Sequence, residues 1–336
     1  MIKQILDKLL DKIDLTFEEA TQVADLLMKG EINNAQIAAL LTALKIKGET
    51  PIEIAGFATA MRSNGVKLEI DTSNTIDVCG TGGDNSGSFN ISTAVAFVVA
   101  GAGVKVAKHG NRSITSKSGS SDVLSELGVS IDMTPEQSKK ALEDIGIAFL
   151  FAPIYHPAMK NVAPVRLELG FKTIFNVLGP LTNPANTVKQ MIGTFNNEIA
   201  LKMAEASKIL GMEQVAFVCT NNQYDEITLT DPTQIIELNN SNISSREIDA
   251  STFGYKNISL DEISGGTPKE NAQIIIELFS SSKNIPHYNV VAANAALALY
   301  TSGKYSTLKE AKIAAEDSIL SGKALNKLNK LVAFGK

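Results

Sequence analysis

From residue 76 onward, short apolar runs alternate with segments of helical pattern, and this alternation restricts the fold more than any other feature of the chain. The strand-like runs are rich in β-branched and aromatic residues and read IDVCG (76–80), VKVAKHG (104–110), IAFLFAP (147–153) and QVAFVCT (214–220). The helical segments between them cover 92–103, 121–128, 134–146 and 197–211. Such an alternation is typical of a parallel sheet with helices on both faces. We therefore predict an α/β fold with a mostly parallel central sheet, to which ITLT (227–230) and IIELNN (235–240) add strands.

The N-terminal seventy residues have helical patterns only. Thr16 and Glu19 form a capping-box pair, Gly30 can end the same helix, and Pro51 stands at the favoured first position of a later one. We predict a small all-helical domain over 1–70 and a larger α/β domain over 71–336.

The segment 155–190 lies between sheet elements, yet its helical pieces are broken by proline and glycine. A segment of this kind can cross to a neighbouring domain and return. We predict that part of it packs with the helical domain, so that a cleft forms at the hinge between the two domains.

The composition argues against a general attraction to polyanions. The 336 residues carry a net charge of -5, so nucleic acid and membranes are not expected as partners and any anion site must be local. Cys79 and Cys219 lie in strand-like runs and read as small core residues in a reducing compartment. The N-terminus reads as an amphipathic helix rather than a signal peptide, and the longest uncharged apolar run (94–104) is too short to span a bilayer. We expect a soluble, cytoplasmic protein.

A glycine-rich stretch, DVCGTGGDNSGSFNIST (77–93), joins the first predicted strand to the helix that follows it. Glycine is costly to order and is retained where the backbone bends to positive φ or approaches a ligand closely. No Gly-Lys-Ser/Thr closes a Walker A motif, and Asn85 stands where a dinucleotide fingerprint needs glycine or alanine. Loop amides, small polar side chains and a helix N-terminus together favour phosphate binding. A flexible strand–helix turn with a capping side chain is the alternative.

A second polar stretch, KHGNRSITSKSGSSD (108–122), follows the next strand. It carries three cations, Lys108, Arg112 and Lys117, among several hydroxyl side chains. Because both loops follow parallel strands, we expect them at the same edge of the sheet, where the ligands of such folds bind. Two such loops favour a ligand with more than one phosphate, to which Lys108 would supply a point charge. A solvated basic loop is the alternative.

Two adjacent carboxylates, Asp225 and Glu226, follow a later strand. Mg²⁺ is usually held by one or two carboxylates together with waters and substrate phosphates, and beside two phosphate loops the pair favours a metal over a solvated loop. Of the three histidines, His109 within the second loop is a candidate ligand contact. His156 could have a structural or a functional role, and His287 is predicted to be structural. The sequence has no His/Cys cluster, catalytic triad or nucleophile elbow, so we predict neither zinc nor a covalent nucleophile.

These motifs stand in one order along the chain: GTGGD, NIST, KHGNRS, KSGSSDVL, VRLELGFKTIFNVLGPLTNPA and DE. In that order, and over nearly the whole chain, they resemble the anthranilate phosphoribosyltransferases, whose fold is shared by the pyrimidine nucleoside phosphorylases. The resemblance implies transfer of the phosphoribosyl group of 5-phosphoribosyl 1-pyrophosphate to the amine of anthranilate, the second step of tryptophan biosynthesis from chorismate. It also implies Mg²⁺, with two ions per subunit, and a homodimer paired through the helical domains.

Carried over position by position, the resemblance implies three sets of site residues and no covalent nucleophile. Those implied for phosphoribosyl pyrophosphate are Gly80, Gly83, Asp84, Ser88, Asn90, Ile91, Ser92, Thr93, Lys108, His109, Gly110, Asn111, Arg112, Ser113, Ile114, Thr115, Ser116 and Ser120. Those implied for anthranilate are Gly80, Asn111 and Arg166. Those implied for the metal are Ser92, Asp225 and Glu226.

Two other functions fit the same scaffold: pyrimidine nucleoside phosphorolysis, and nucleic-acid binding without catalysis. Arg166 and the TIFNVLGPLTNP segment argue against the first, and the net charge of -5 with the Asp225-Glu226 pair argues against the second. The sequence departs from the family pattern at Lys172, where arginine is common before TIFN. The sequence alone does not determine how Lys172 packs near the predicted hinge.

Overall fold

The N-terminal part of the computed structural model is helical, as the sequence predicts. The model describes residues 1–84, 86–112, 117–280 and 286–335. The N-terminal helices are α1 (Ile2–Leu10), α2 (Phe17–Lys29), α3 (Asn34–Lys47) and α4 (Pro51–Ser63). Thr16 and Glu19 form the capping box of α2, and Gly30 ends that helix with a φ of 74°. Pro51 begins α4 behind a second capping box. Local sequence therefore determines where these helices begin and end.

A seven-stranded sheet lies at the centre of the remaining chain, counted within the described ranges. Its strands are β1 (Thr75–Gly80), β2 (Lys105–Gly110), β3 (Ile147–Phe151), β4 (Lys189–Gly193), β5 (Gln214–Thr220), β6 (Thr233–Asn239) and β7 (Asn242–Ile248). They lie in the order β3-β2-β1-β4-β5-β6-β7. The strands from β3 to β5 in that order pair in parallel, whereas β6 and β7 pair antiparallel. The predicted α/β fold with a mostly parallel sheet is confirmed.

The structure corrects one predicted strand and adds two that the sequence pattern does not predict. Residues 227–230 do not pair with the sheet, so the predicted ITLT strand is wrong. The buried Asn294 side chain accepts from the Ile227 N–H (3.0 Å) and donates to the Ile227 carbonyl (2.9 Å), and it thereby takes the groups that a strand would use. β4 (KQMIG) has only two large apolar residues, Met191 and Ile192, and the edge strand β7 is largely exposed, so neither has the apolar run that reveals a strand.

Helices cover both faces of the sheet. They are α5 (Ile91–Gly101), α6 (Ser120–Glu126), α7 (Pro135–Asp144), α8 (Ala152–Tyr155), α9 (Ala163–Leu169), α10 (Phe175–Leu181), α11 (Asn197–Ile209), α12 (Pro268–Ser280), α13 (Pro286–Thr301), α14 (Leu308–Leu320) and α15 (Lys323–Phe334). Ala216 and Val218 of β5 pack with the core around α5 and α13, while Val215 and Phe217 pack with α11 and the N-terminal helices. None of the helices in the described residues is long and apolar enough to cross a membrane.

The segment after β3 leaves the sheet and packs on the N-terminal helices. A 3₁₀-helix (Pro157–Asn161) contacts α2, while α9 contacts α3 and α10 contacts α4. Val162 and Leu178 lie in the same apolar core as residues of α2 and α3. A segment that returns to a helical domain would make contacts of this kind. The division of the chain at residues 70 and 71 stays a prediction.

Candidate active site

The carboxyl ends of neighbouring parallel strands meet at one edge of the sheet. The ends are Gly80 of β1, Gly110 of β2, Gly193 of β4 and Thr220 of β5. The segments that follow are named here the first loop (81–90), the second loop (111–119) and the acidic turn (221–226). Because β1 and β2 pair in parallel, the two glycine-rich loops share this edge, as predicted.

The acidic turn places two carboxylates at this edge, beside a third from the first loop. Asp225 accepts a hydrogen bond from the Gly82 N–H (3.0 Å), and its own N–H donates to the Asp84 carboxylate (3.4 Å). Burial and the nearby charge of Asp84 raise the pKa of Asp225 to about 8. Burial, followed by the charge of Asp225, raises the pKa of Glu226 well above its usual range. Carboxylates in such surroundings are stabilised by a cation.

The donor set fits a divalent metal ion that binds together with a phosphate substrate. Asp225 and Glu226 offer hard oxygen atoms, and the Ser92 backbone lowers the pKa of Glu226 against the effect of burial. In the part of the chain that the structure describes, no group of three or more His, Cys, Asp or Glu side chains could hold a metal by itself. Since Mg²⁺ keeps waters and substrate phosphates beside one or two carboxylates, substrate oxygens would complete this site.

Two glycines leave room for the acidic turn. A Cβ atom on Gly193 would overlap the backbone carbonyl oxygen of Asp225, and one on Gly80 would lie 2.8 Å from Asp225 Oδ2. Neither position accepts a side chain unless Asp225 moves. Gly80 is among the predicted site residues. Gly193 has no signal in the sequence, because only the sheet brings the end of β4 to Asp225.

Lys108 lies beneath the site rather than in the open part of the second loop. The residue is 3% exposed, and its ammonium group donates to the Val78 carbonyl (2.6 Å) and to Ser92 Oγ (3.2 Å). Burial lowers the pKa of Lys108, while the charges of Asp77 and Glu226 oppose this shift. The ammonium group therefore orients Ser92 and compensates buried carboxylates.

The first loop combines positive-φ glycines with small polar side chains. Gly82 and Gly83 have φ angles of 64° and 70°, which favour glycine over other residues. The predicted residues whose side chains are half-buried here are Asp84, Ser88, Asn90 and Ser92. The side chains of Ile91 and Thr93 are buried, so any ligand contact of these two residues would come from the backbone.

The second loop is described at its two ends. Asn111 and Arg112 are exposed, and the Arg112 guanidinium lies 3.6 Å from the Asp122 carboxylate. Ser120 Oγ donates to the Asn111 carbonyl (3.3 Å), close to Gly110. The predicted residues Ser113, Ile114, Thr115 and Ser116 lie outside the described residues.

His109 and His156 are buried against each other below the second loop. Their rings are 5.2 Å apart between centroids, in an edge-to-face arrangement. His109 Nδ1 lies 3.2 Å from the Gly179 carbonyl oxygen, and His156 Nε2 lies 2.9 Å from that of Thr182. Burial lowers the pKa of His109 to about 3 and that of His156 to about 4. Both rings are neutral at pH 7, and a contact between His109 and a ligand would come from its backbone.

We expect the two buried histidines to lower the free energy of unfolding as the pH drops below 6.5, while the raised pKa values of Asp225 and Glu226 act in the opposite direction. Both histidines have a pKa of 6.5 in the unfolded chain and a lower pKa in the fold, so the unfolded state binds more protons in this range. At pH 5 the two together should remove ~4 kcal/mol. Urea unfolding between pH 5 and 7.5 at constant ionic strength measures this loss. The wild type should lose ~2 kcal/mol more than His156→Asn between pH 7.5 and pH 5, and equal losses in the two proteins would contradict the assignment.

Arg166, predicted to contact anthranilate, lies half-buried on α9. Its guanidinium carbon is 5.3 Å from the centre of the Phe175 ring. Burial lowers the pKa of the guanidinium, and among the described residues no carboxylate pairs with it. Within the same part of the chain, Arg166 makes no hydrogen bond to Gly80 or Asn111, the other two predicted anthranilate residues. The ring therefore orients a guanidinium whose donors remain available to an anion.

Lys172 connects the segment between α9 and α10 to the first loop. Its ammonium group donates to the Gly83 carbonyl (2.8 Å) and lies 3.6 Å from the centre of the Phe195 ring. Burial lowers the pKa of Lys172, while Asp225 and Asp84 raise it. The departure from the family pattern at this position thus keeps a cation that holds the first loop.

A helical N-terminal part followed by an α/β part is the domain arrangement of a glycosyl transferase family. The helical bundle domain model of the glycosyl transferase family matches residues 3–65, and the a/b domain model of that family matches residues 72–325. An anthranilate phosphoribosyltransferase of Acetivibrio thermocellus is 44% identical over 334 residues, which cover 99% of this chain and 96% of the relative. This chain belongs to the anthranilate phosphoribosyltransferase family.

Solved structures show the same similarity. The crystal structure of the anthranilate phosphoribosyltransferase from Thermus thermophilus superposes with a TM-score of 0.92 at 39% identity, covering 98% of each chain. The enzyme from Saccharomyces cerevisiae in complex with PRPP and Mg superposes with a TM-score of 0.90 at 28% identity, covering 99% of this chain and 97% of the yeast chain. The similarity therefore extends over both the helical and the α/β parts.

Proposed function

We propose that this chain transfers the phosphoribosyl group of 5-phosphoribosyl 1-pyrophosphate to the amine of anthranilate. The products are N-(5-phosphoribosyl)anthranilate and pyrophosphate, and the reaction is the second step of tryptophan biosynthesis from chorismate. The observation that carries the proposal is the meeting of the first loop, the second loop and the acidic turn at one edge of the parallel sheet. The names of the chain's relatives support the same reaction.

The phosphoribosyl donor would bind between the two loops. The N-terminus of α5 and the backbone of Gly83 suit the pyrophosphate, because N–H groups there carry partial positive charge toward an anion, whereas the Gly82 N–H is bonded to Asp225 (3.0 Å). The polar side chains of Ser88, Asn90 and Ser92, with Asn111 and Ser120 of the second-loop region, would bind the remaining oxygen atoms. The complex of the yeast relative with PRPP and Mg supports this assignment.

Mg²⁺ would be held by Asp225, Glu226 and Ser92, and we assign two ions to each subunit. Bound there, the metal would neutralise charge on the departing pyrophosphate. Asp225 faces Asp84 and the first loop, whereas Glu226 faces Ser92 and Lys108. Two carboxylates in different surroundings are the feature that supports two ions rather than one.

The chemistry requires one bond to break and one to form. The C1–O bond to pyrophosphate breaks, the anthranilate nitrogen forms a bond to C1, and the nitrogen then releases a proton to solvent. The amine lone pair is already available, so the proposal needs neither a strong general base nor a covalent nucleophile. The chain would contribute orientation of the two substrates and stabilisation of the leaving charge.

Anthranilate would bind next to the segment that packs on the N-terminal helices. The Arg166 guanidinium can hold the carboxylate through paired hydrogen bonds, and the Phe175 ring, 5.3 Å from the guanidinium carbon, packs against it. Gly80 and Asn111 would complete the contacts from the sheet edge. Because Lys172 connects this segment to Gly83, movement of the segment would be transmitted to the donor loop.

We also propose a homodimer paired through the helical domains. Leu10 and Ile46 are 72% and 73% exposed on the N-terminal helices, and large apolar side chains of this kind are suited to a subunit interface. A cytoplasmic location is the third part of the proposal. It is supported by the thiols of Cys79 and Cys219, which are both free.

The loss of anthranilate fluorescence tests the proposed reaction. We expect loss only when phosphoribosyl pyrophosphate and Mg²⁺ are both present, with one pyrophosphate released for each anthranilate consumed. A second assay measures phosphorolysis of thymidine and of uridine with inorganic phosphate. Phosphorolysis of either nucleoside without any anthranilate turnover would favour the phosphorylase alternative, and a gel shift with nucleic acid at physiological salt would favour the binding alternative.

A further inference from the structure

The buried side chain of Asn271 connects helix α12 to the first loop. Asn271 is 2% exposed and lies in the first turn of α12. Its Nδ2 donates to Asn90 Oδ1 (2.8 Å), and its Oδ1 accepts from the Gly266 N–H (2.8 Å). Because a backbone N–H can only donate, these partners determine the orientation of the amide. The proposed reaction gives Asn271 no role.

Asn90 is the point at which three parts of the site meet. Its Oδ1 also accepts from Ser118 Oγ (3.0 Å), and its Nδ2 donates to the Ser118 carbonyl (3.2 Å). Asn90 ends the first loop, Ser118 belongs to the second loop, and Asn271 belongs to α12. The Asn90 carboxamide therefore fixes the two loops relative to each other, and the buried Asn271 side chain fixes that carboxamide.

The backbone before α12 supports the same loop. The Gly265 N–H donates to the Gly87 carbonyl (2.7 Å), and the Phe89 N–H donates to the Ile263 carbonyl (3.2 Å). A Cβ atom on Gly265 would lie 2.6 Å from the backbone nitrogen of Phe89, so the approach is close enough to need glycine there. Residues 263–271 therefore hold the first loop through both backbone and side-chain hydrogen bonds.

The Asn90 side chain does not cap the helix that it precedes. Asn90 occupies the N-cap position of α5, where an asparagine side chain usually accepts a hydrogen bond from the second or third N–H of the helix. Here the Asn90 side chain makes no such bond. It is instead bound to Asn271 and Ser118, while the Thr93 N–H, the third of the helix, donates to the Asn90 backbone carbonyl (3.1 Å).

We infer that Asn271 is a positioning residue for the phosphoribosyl donor, acting through Asn90. It holds the Asn90 carboxamide in the orientation that joins the first loop to Ser118 of the second loop. Without this bond, the carboxamide keeps only its two bonds to Ser118, and the first loop loses its side-chain connection to α12. The inference rests on the proposed function.

Asn271→Ala and Asn271→Leu test the inference. The second variant keeps the volume of the buried side chain in case the first does not fold. In both, the Kd for phosphoribosyl pyrophosphate with Mg²⁺ but without anthranilate, measured by calorimetry, should rise by about tenfold, as should its KM. The KM for anthranilate and the kcat at saturating donor should stay close to wild type, because Asn271 touches neither the acceptor segment nor the acidic turn.

Two variants serve as controls. Ser318→Ala removes another buried polar bond to α5, from Ser318 Oγ to the Val98 carbonyl (2.8 Å), far from the loops. Gln273→Ala removes an exposed amide of α12 that bonds to Glu277. Both should leave the Kd for the donor unchanged. An equal rise in Ser318→Ala would show that lost stability alone weakens binding, and would overturn the inference.

A double-mutant cycle shows whether Asn271 acts through Asn90. The variant with both Asn271→Ala and Asn90→Ala should bind the donor no more weakly than Asn90→Ala alone. Multiplied losses, or an unchanged Kd in Asn271→Ala and Asn271→Leu, would overturn the inference while leaving the proposed function intact. A wild-type protein that binds no donor would overturn both.

Discussion

Replacing Asp225 by asparagine together with Glu226 by glutamine should lower kcat by about 10³-fold or more. Both carboxylates lie at the carboxyl edge of the sheet, where the leaving pyrophosphate would need a metal ion. The amides that replace them are poor ligands for Mg²⁺, which prefers carboxylate oxygens. Steady-state rates at saturating substrates, measured over a range of Mg²⁺ concentrations, check the loss.

The same double variant should be at least as stable as the wild type when a chelator removes the metal. Burial and the mutual repulsion of carboxylates raise the pKa of Asp225 to about 8, so two neutral amides relieve an unfavourable arrangement. Asp261→Asn with Glu262→Gln is the matched control, because it alters an exposed Asp-Glu pair elsewhere in the chain. Full activity of the Asp225/Glu226 variant at low Mg²⁺ would show that these two carboxylates do not hold the metal ion.

Replacing Arg166 by alanine should reduce kcat/KM for anthranilate by roughly tenfold to a hundredfold, since a hydrogen bond to a charged group is worth ~1.5–3 kcal/mol. The change should fall on the KM for anthranilate far more than on that of the phosphoribosyl donor. Arg166→Lys should recover only part of the loss, because an ammonium group keeps the charge but not the paired geometry. Initial rates with each substrate varied in turn measure the difference.

Arg246→Ala is the matched control for Arg166. Arg246 also lies over an aromatic ring, that of Tyr300 at 5.6 Å, but it pairs with Glu237 on the antiparallel side of the sheet. It should leave both KM values unchanged. Equal losses for the two substrates in Arg166→Ala would indicate disturbed packing against Phe175, and no loss for either would mean that the carboxylate is held by other residues.

Much of the fold could be predicted because the signals are local. The capping box of Thr16 and Glu19 and the positive φ of Gly30 involve residues within one or two turns of each other, and the structure confirms both. The strands β1, β2, β3 and β5 have apolar runs that are visible without knowing their neighbours. The sequence pattern did not predict β4, and it wrongly predicted a strand at 227–230, because local signals are weak or misleading at these two places. The first has only two large apolar residues, Met191 and Ile192, and the second is held by Asn294, which lies 67 residues away in the chain.

The candidate site was less predictable than the fold. The two glycine-rich loops and the Asp225-Glu226 pair stand out as motifs. Gly193 and Asn271 do not, because a single glycine or asparagine has no meaning until its neighbour in space is known. Lys108 was predicted to supply a point charge to a phosphate ligand, yet its buried ammonium group donates to Ser92 Oγ and to the Val78 carbonyl.

By itself, the sequence determined the N-terminal helices, the parallel character of the sheet, the two polar loops and the acidic pair, because each depends on neighbours along the chain. Only the tertiary structure decided how these parts meet. The insertion of β4 between β1 and β5 brings Asp225 to Asp84 across 141 positions, and the packing of α12 brings Asn271 to Asn90 across 181. Contacts over such separations follow from strand order and the burial of whole faces, and no local propensity encodes them.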